Sequence, residues 1–229
     1  MKYFLPLIIL FIIFTASAQA AGVTLTWTTD TYVPLNYQGM ALPSRGSSIE
    51  VAAQFNSSKY NPQELIFNWF LNNKIQNNES GLEKQSFKFK MSDSLTKEYI
   101  IRLEVTDRNN LKIETSNNLF LKAHQPEIVL KSKNPPLKFS NQYQFSDNQE
   151  IEFTALPYFF NIKNADELNY QWEFGLSIVP QVDNVNLNNF ILKVGELNET
   201  LKQTLQVWAE NKNHLIQRTR AIAEIILNP

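Results

Sequence analysis

From Ser48 the chain places Ile49, Val51, Ala53 and Phe55 at every second position, and from Glu150 it does the same with Ile151, Phe153 and Ala155. Period-two alternation marks a half-buried strand, because successive side chains of a strand leave on opposite faces. The repetition constrains the fold most. Ile49 and Ile151 are 102 apart, Trp69 and Trp172 are 103 apart, and Val105 and Val207 are again 102 apart. One order of landmarks occurring twice at one spacing implies a duplicated unit.

The segments between these landmarks follow the same rule. The first copy alternates Leu65, Phe67, Trp69 and Leu71, then Phe87, Phe89 and Met91 against Lys88 and Lys90, then Tyr99, Ile101, Leu103 and Val105. The second alternates Leu168, Tyr170, Trp172 and Phe174, then Phe190, Leu192 and Val194, then Leu205, Val207 and Ala209. No stretch carries a helical stripe of useful length. Short strands broken by turn signals about every ten residues, in units of ~100 residues, predict an all-β chain of two tandem immunoglobulin-like antiparallel β-sandwiches, each with a buried tryptophan on its third strand. The units are predicted over 21–123 and 127–229. Their link, Ala123 to Pro126, is short and lacks glycine, so the sandwiches are expected end to end with limited bending.

Residues 1–20 read as a secretory signal peptide. Lys2 supplies the positive start, Leu5 to Phe14 an apolar run, and Ala16-Ser17-Ala18 and Ala18-Gln19-Ala20 fit the small-residue cleavage pattern. The run is short of the ~20 apolar residues that cross a bilayer, so the expected product starts near Ala21, has no transmembrane anchor and is periplasmic, cell-surface or extracellular. The chain contains no cysteine, which excludes a disulfide framework and a lipid-bearing cysteine. Its 21 Lys and Arg and 22 Asp and Glu are interspersed, and with no basic stripe to hold phosphates, nucleic acid is not an expected partner.

Two motifs add a resemblance. The stretch Tyr170-Gln-Trp172-Glu-Phe174-Gly175 resembles the Y-x-W-D-F-G signature of PKD-type immunoglobulin-like repeats, and Tyr99-x-Ile101-x-Leu103-x-Val105-x-Asp107 is similar to that family's Y-x-V-x-L-x-V-x-D strand. Each copy keeps a different half. The first has Asn-Trp-Phe-Leu in place of W-D-F-G, and the second has Leu201 and Ala209 in place of the Tyr and Asp. The resemblance implies a β-sandwich used as a spacer or adhesive module; it implies no site.

The inventory for catalysis is thin. His124, beside Pro126, reads as an exposed linker residue and His214 as a hairpin exit, and neither has a second histidine or a carboxylate at ligand spacing. No G-x-S-x-G, H-E-x-x-H or P-loop occurs among only six glycines. Asp107-Arg108-Asn109-Asn110 with Glu127 has the oxygen ligands calcium prefers, but it also has the composition of a plain turn, and its arginine repels a cation. Neither a metal nor a cofactor is expected, and the chain is not expected to be an enzyme.

Two surface features remain. The segment from Thr28 carries Tyr32, Pro34 and Tyr37, which either form a binding loop that stacks on sugar or peptide or cover the end or edge of a sandwich. Aligning Val105 with Val207 sets Trp208 where the first copy has Thr106. Parity then places Trp208 with Ile222 and Ile226 on an outer face, as an apolar patch for a protein partner or a second copy of the chain, unless a loop such as Ile178 to Val185 covers it. The expectation is an exported, non-catalytic binding or structural protein working through protein contacts. The alternative is a carbohydrate-binding accessory module using the aromatic loop.

Overall fold

The computed structural model describes residues 22–56, 61–109, 111–179 and 187–229. The expected leader lies outside them, as does Asn110. The first sandwich comprises β1 (Gly22–Thr29), β2 (Ser48–Asn56), β3 (Leu65–Leu71), β4 (Lys74–Ile75), β5 (Gly81–Leu82), β6 (Ser86–Lys90), β7 (Glu98–Asp107) and β8 (Ile113–Lys122). The second comprises β9 (Glu127–Asn134), β10 (Gln142–Ser146), β11 (Glu150–Tyr158), β12 (Leu168–Phe174), β13 (Ser177–Ile178), β14 (Asn189–Lys193), β15 (Leu201–Asn211) and β16 (Arg218–Asn228). In the first, sheet β1-β2-β6 faces sheet β4-β3-β7-β8, with β5 also on β3; in the second, β14-β11-β9 faces β10-β16-β15-β12-β13. Both copies are immunoglobulin-like sandwiches, each closed around its own core. Among the described residues no helix is long and apolar enough to cross a membrane.

The two tryptophans hold equivalent places. Trp69 and Trp172 are buried, each stacks on a phenylalanine of the opposite sheet (Phe87 at 5.7 Å, Phe190 at 5.4 Å), and each indole N–H donates to a backbone carbonyl 15 residues on, Lys84 at 2.9 Å and Leu187 at 3.0 Å. The opposed pairs Val51–Phe87 and Phe153–Phe190 complete the match.

One alignment is corrected and two features are added. The sheets are not wholly antiparallel, because β10 runs parallel to β16, Gln142 to Ser146 opposite Glu224 to Asn228. The alignment of Val105 with Val207 slips by two residues: Trp69 lies opposite Leu103 and Trp172 opposite Val207. Val207 therefore answers to Leu103, and Trp208 to Glu104 rather than Thr106. A slip of one residue turns every side chain to the other face, but a slip of two changes none, so alternation cannot reveal it. Finally, the link from Ala123 to Pro126 is only part of the join, because residues 30–47 of the first copy also reach the second sandwich.

Candidate functional site

Where β1 ends, the chain leaves the first sandwich instead of turning straight into β2. Thr31 Oγ1 donates to the Leu42 carbonyl at 2.8 Å and closes the base of this excursion. At its far side Tyr32 behaves like a strand residue of the other copy: its N–H donates to Phe160 O at 2.8 Å and its carbonyl accepts from Phe159 N–H at 2.7 Å. The Tyr32 ring packs on the margin of the second core. Tyr37 follows with edge-on contacts to Tyr158 at 5.5 Å and Phe159 at 5.9 Å. Phe159 has φ 61°, a left-handed backbone that bulky residues rarely adopt; the two-way exchange with Tyr32 and its buried ring hold it there.

This tyrosine cluster is expected to make the fold sensitive to alkali. Burial, then the phenols of Tyr37 and Tyr32, raises the pKa of Tyr158; burial, then Tyr32 and Asp166, raises that of Tyr170. Both favour the neutral phenol when folded, so their stabilisation is complete below the ordinary value near 10 and is lost as pH rises beyond it. The melting temperature is expected to hold up to about pH 10 and then fall, and Tyr170→Phe should flatten the fall. An equally steep decline in that variant would show that Tyr170 does not contribute.

Between this excursion and the outer face of β9 and β11 lies a groove of about 590 Å³. Pro34, Leu35 and Tyr37 line it from the excursion and Val129, Leu156 and Tyr158 from the two strands, and Phe139 contributes to the lining as well. Leu35 and Phe139 are exposed. Lys131 and Lys133 line it from β9; Lys133 is paired with Glu152 at 2.7 Å.

A polar hub also joins the copies. Gln217, wholly buried, uses its full hydrogen-bonding capacity: Nε2 donates to Ser44 Oγ at 2.8 Å and Arg45 O at 2.7 Å, while Oε1 accepts from Asn161 N–H at 2.9 Å and Asn211 Nδ2 at 3.0 Å. Asn161 Nδ2 returns across the join to Gly46 O at 3.1 Å, and Arg45 donates to Gln125 and to the Ile216 carbonyl. Gly46 has φ 76°, and a Cβ there would sit 2.6 Å from the His214 ring, so glycine is required. His214 lies in the turn between β15 and β16, as expected, but its Nε2 meets Asp93 of the first copy at 3.1 Å. His124 is exposed, with its backbone bonded to Pro43. Asp107 Oδ1 accepts from Asn109 N–H at 2.6 Å within its own turn.

The Trp208 face differs from expectation. Trp208 is 36% exposed and Ile222 45%, and register puts them diagonally across β15 and β16. The Arg220 guanidinium lies 5.2 Å from the Trp208 ring, and Gln206 and Gln171 both donate to Glu173 beside it, so the apolar spot is small and set among polar groups. In the first copy Glu104 takes this position, ion-paired with Arg102. Ile226 does not belong to an exposed patch. It is 8% exposed, flanked by Lys202 on β15 and Gln144 on the unforeseen strand β10. Of the covering loop considered, Ile178 is exposed on β13 and residues 180–185 lie outside the described residues.

Of the site residues expected from sequence, Tyr32 and Tyr37 come together at the join, about Tyr158 and Phe159, whereas Trp208 and Ile222 lie on the separate β15–β16 face. Phe139, Tyr158 and Gln217 were not foreseen. The run Tyr158-Phe159-Phe160, which overfills the end of a strand, was the one signal available.

No protein-family model matches the chain, and no curated protein matches it. Among solved structures it is similar to the three N-terminal domains of the highly immunogenic outer capsid protein (Hoc) of bacteriophage RB49, at 14% identity, over 91% of this chain and 59% of that one, with a TM-score of 0.45. It is also similar to the two tandem V-type regions of the chitin-binding protein VCBP3 (10% identity, 89% and 99% covered, TM-score 0.25) and to a C-terminal fragment of intimin in complex with the intimin-binding domain of its translocated receptor (10%, 91% and 64%, TM-score 0.25). At these identities and scores none of them bears on function.

Proposed function

We propose that the chain is an exported, non-catalytic binding protein of the cell envelope or exterior that holds an extended segment of a protein partner in the groove beneath Tyr37. The observation that carries this reading is the groove itself, a concave and mostly apolar surface assembled from both copies. Tyr37 meets Tyr158 and Phe159 edge-on, which favours wedging an apolar side chain over laying a sugar ring flat. Lys131, which lines the groove, favours a carboxylate flanking that side chain. Export rests on the leader pattern of residues 1–20, and the PKD-type relationship on Tyr170, Trp172 and Gly175 in the second copy.

Photo-crosslinking in the producing cell tests the site. A benzoylphenylalanine placed at Leu35 or Phe139 is expected to capture one dominant protein, and the same group at Leu176, exposed beyond the end of β12 opposite the Leu168–Asn211 pair, none of it. Equal capture from all three positions would remove the groove from consideration. Competition by a neutral oligosaccharide would replace the protein partner with a glycan.

A further inference from the structure

Both copies carry the same principal strands, yet one place filled in the second stands open in the first among the described residues. Strand β16 is flanked on its outer edge by β10, whose Tyr143 and Phe145 turn inward against Phe153. Its counterpart β8 is paired, among the described residues, with β7 alone. A single parallel bridge, Ser44 to His124, survives where the second copy has a ladder, with His124 N–H donating to Pro43 O at 2.8 Å. Beyond that rung, residues 30–42 supply the excursion that grips the second sandwich.

The hydrogen bonds show which groups of β8 face this edge. His124 N–H points there, and so does Asn118 N–H, which is taken up at 2.8 Å by Oδ1 of Asn117. The Asn117 amide donates onward to Val23 O at 2.7 Å and so stands in for a missing strand. Alternate residues of a strand face one edge, so Phe120 and Lys122, which lie between, present their N–H and C=O groups outward. Neither has a partner on that edge among the described residues. In the second copy the matching residues, Glu224 and Ile226, lie in the ladder with β10, and Glu224 N–H donates to Asn141 O at 2.8 Å. Side-chain burial agrees. Leu25 and Leu119 are half-buried, whereas their counterparts Leu130 and Ala223 are closed off. Phe120 is 68% exposed.

We propose that the outer edge of β8 at Phe120–Lys122 takes an extended segment of a partner polypeptide, parallel to β8 as β10 is to β16, with a large apolar side chain directed between Leu25 and Leu119. The receiving groups are main-chain donors and acceptors at strand spacing, which an extended polypeptide matches. β10 shows the chemistry that fits, polar and aromatic residues in alternation. The incoming strand continues a parallel ladder already begun by the Ser44–His124 bridge. This edge lies on the first sandwich, apart from the groove under Tyr37, and the two readings fail independently.

The probe is a synthetic peptide of residues 141–147, added to the full chain and followed by amide hydrogen exchange. Exchange at Phe120 and Lys122 is expected to slow at least about tenfold at saturation. A peptide with both aromatics changed to serine should have no effect. Lys122→Pro removes an edge-facing N–H without breaking a bond to β7, and should abolish peptide binding while the melting temperature holds. No protection in the wild-type chain overturns the proposal. So does peptide binding retained by Lys122→Pro, which would mean exchange with β10 of the second sandwich. Protection at Phe120 and Lys122 that rises with chain concentration and needs no peptide also overturns it, naming a second copy as the occupant.

Discussion

Replacing Trp69 or Trp172 by alanine is expected to cost about 3–5 kcal/mol in the sandwich that holds it, the range for truncating a large buried aromatic. Each indole sits at the centre of its core, stacked on a phenylalanine from the facing sheet, so truncation opens a cavity between sheets that cannot collapse without bending both. The loss is not of apolar contact alone. Each indole N–H satisfies the carbonyl of a connecting segment, Lys84 or Leu187, and alanine leaves that carbonyl without its donor. Trp→Phe separates the two contributions: it keeps most of the packing, loses the hydrogen bond and should cost clearly less. Denaturant unfolding of the two alanine variants is the measurement, and a change below about 1 kcal/mol at either site would show that the tryptophan is not a core residue.

How much of this was legible before the structure follows from what each pattern encodes. Alternation reports which face a side chain takes, so Val51, Phe67, Leu103, Phe153 and Val207 were read as inward, and all are buried. It does not report register, which is why Trp208 was matched with Thr106 and its true counterpart Glu104 was missed. Nor does parity report what lies beside a strand. Ile226 has the parity of an outward residue and is buried nonetheless, because β10 runs alongside it, and a parallel strand that short leaves too brief an alternation to stand out. Residues 30–47 have no alternation because they serve two sandwiches at once. Tyr32 pairs like a strand residue, but with Phe159 and Phe160, more than a hundred positions away. Gln217 carried no signal at all, since a glutamine before a final strand has the composition of any turn.

Gln217→Ala is expected to uncouple the copies, at a cost of about 2–4 kcal/mol, because removing one side chain leaves several buried polar groups unsatisfied together. Ser44 Oγ and Arg45 O lose a donor on the first sandwich; Asn161 N–H and Asn211 Nδ2 lose an acceptor on the second. Water does not readily replace it, since Gln217 and Ser44 are wholly buried and Asn211 is nearly so. Neither core tryptophan bonds to the hub, since the indoles donate to Lys84 and Leu187, so the loss should fall mainly on the join. Calorimetry is expected to resolve a single transition of the native chain into two in the variant, with Trp69 and Trp172 fluorescence still native-like below the first. The consequence reaches the groove, whose walls belong to different copies: loosening the hub should also weaken photo-capture from Leu35, a residue far along the chain from Gln217. A variant that melts as the native chain does would mean that Tyr32 and the link at Ala123 to Pro126 hold the copies together without the hub.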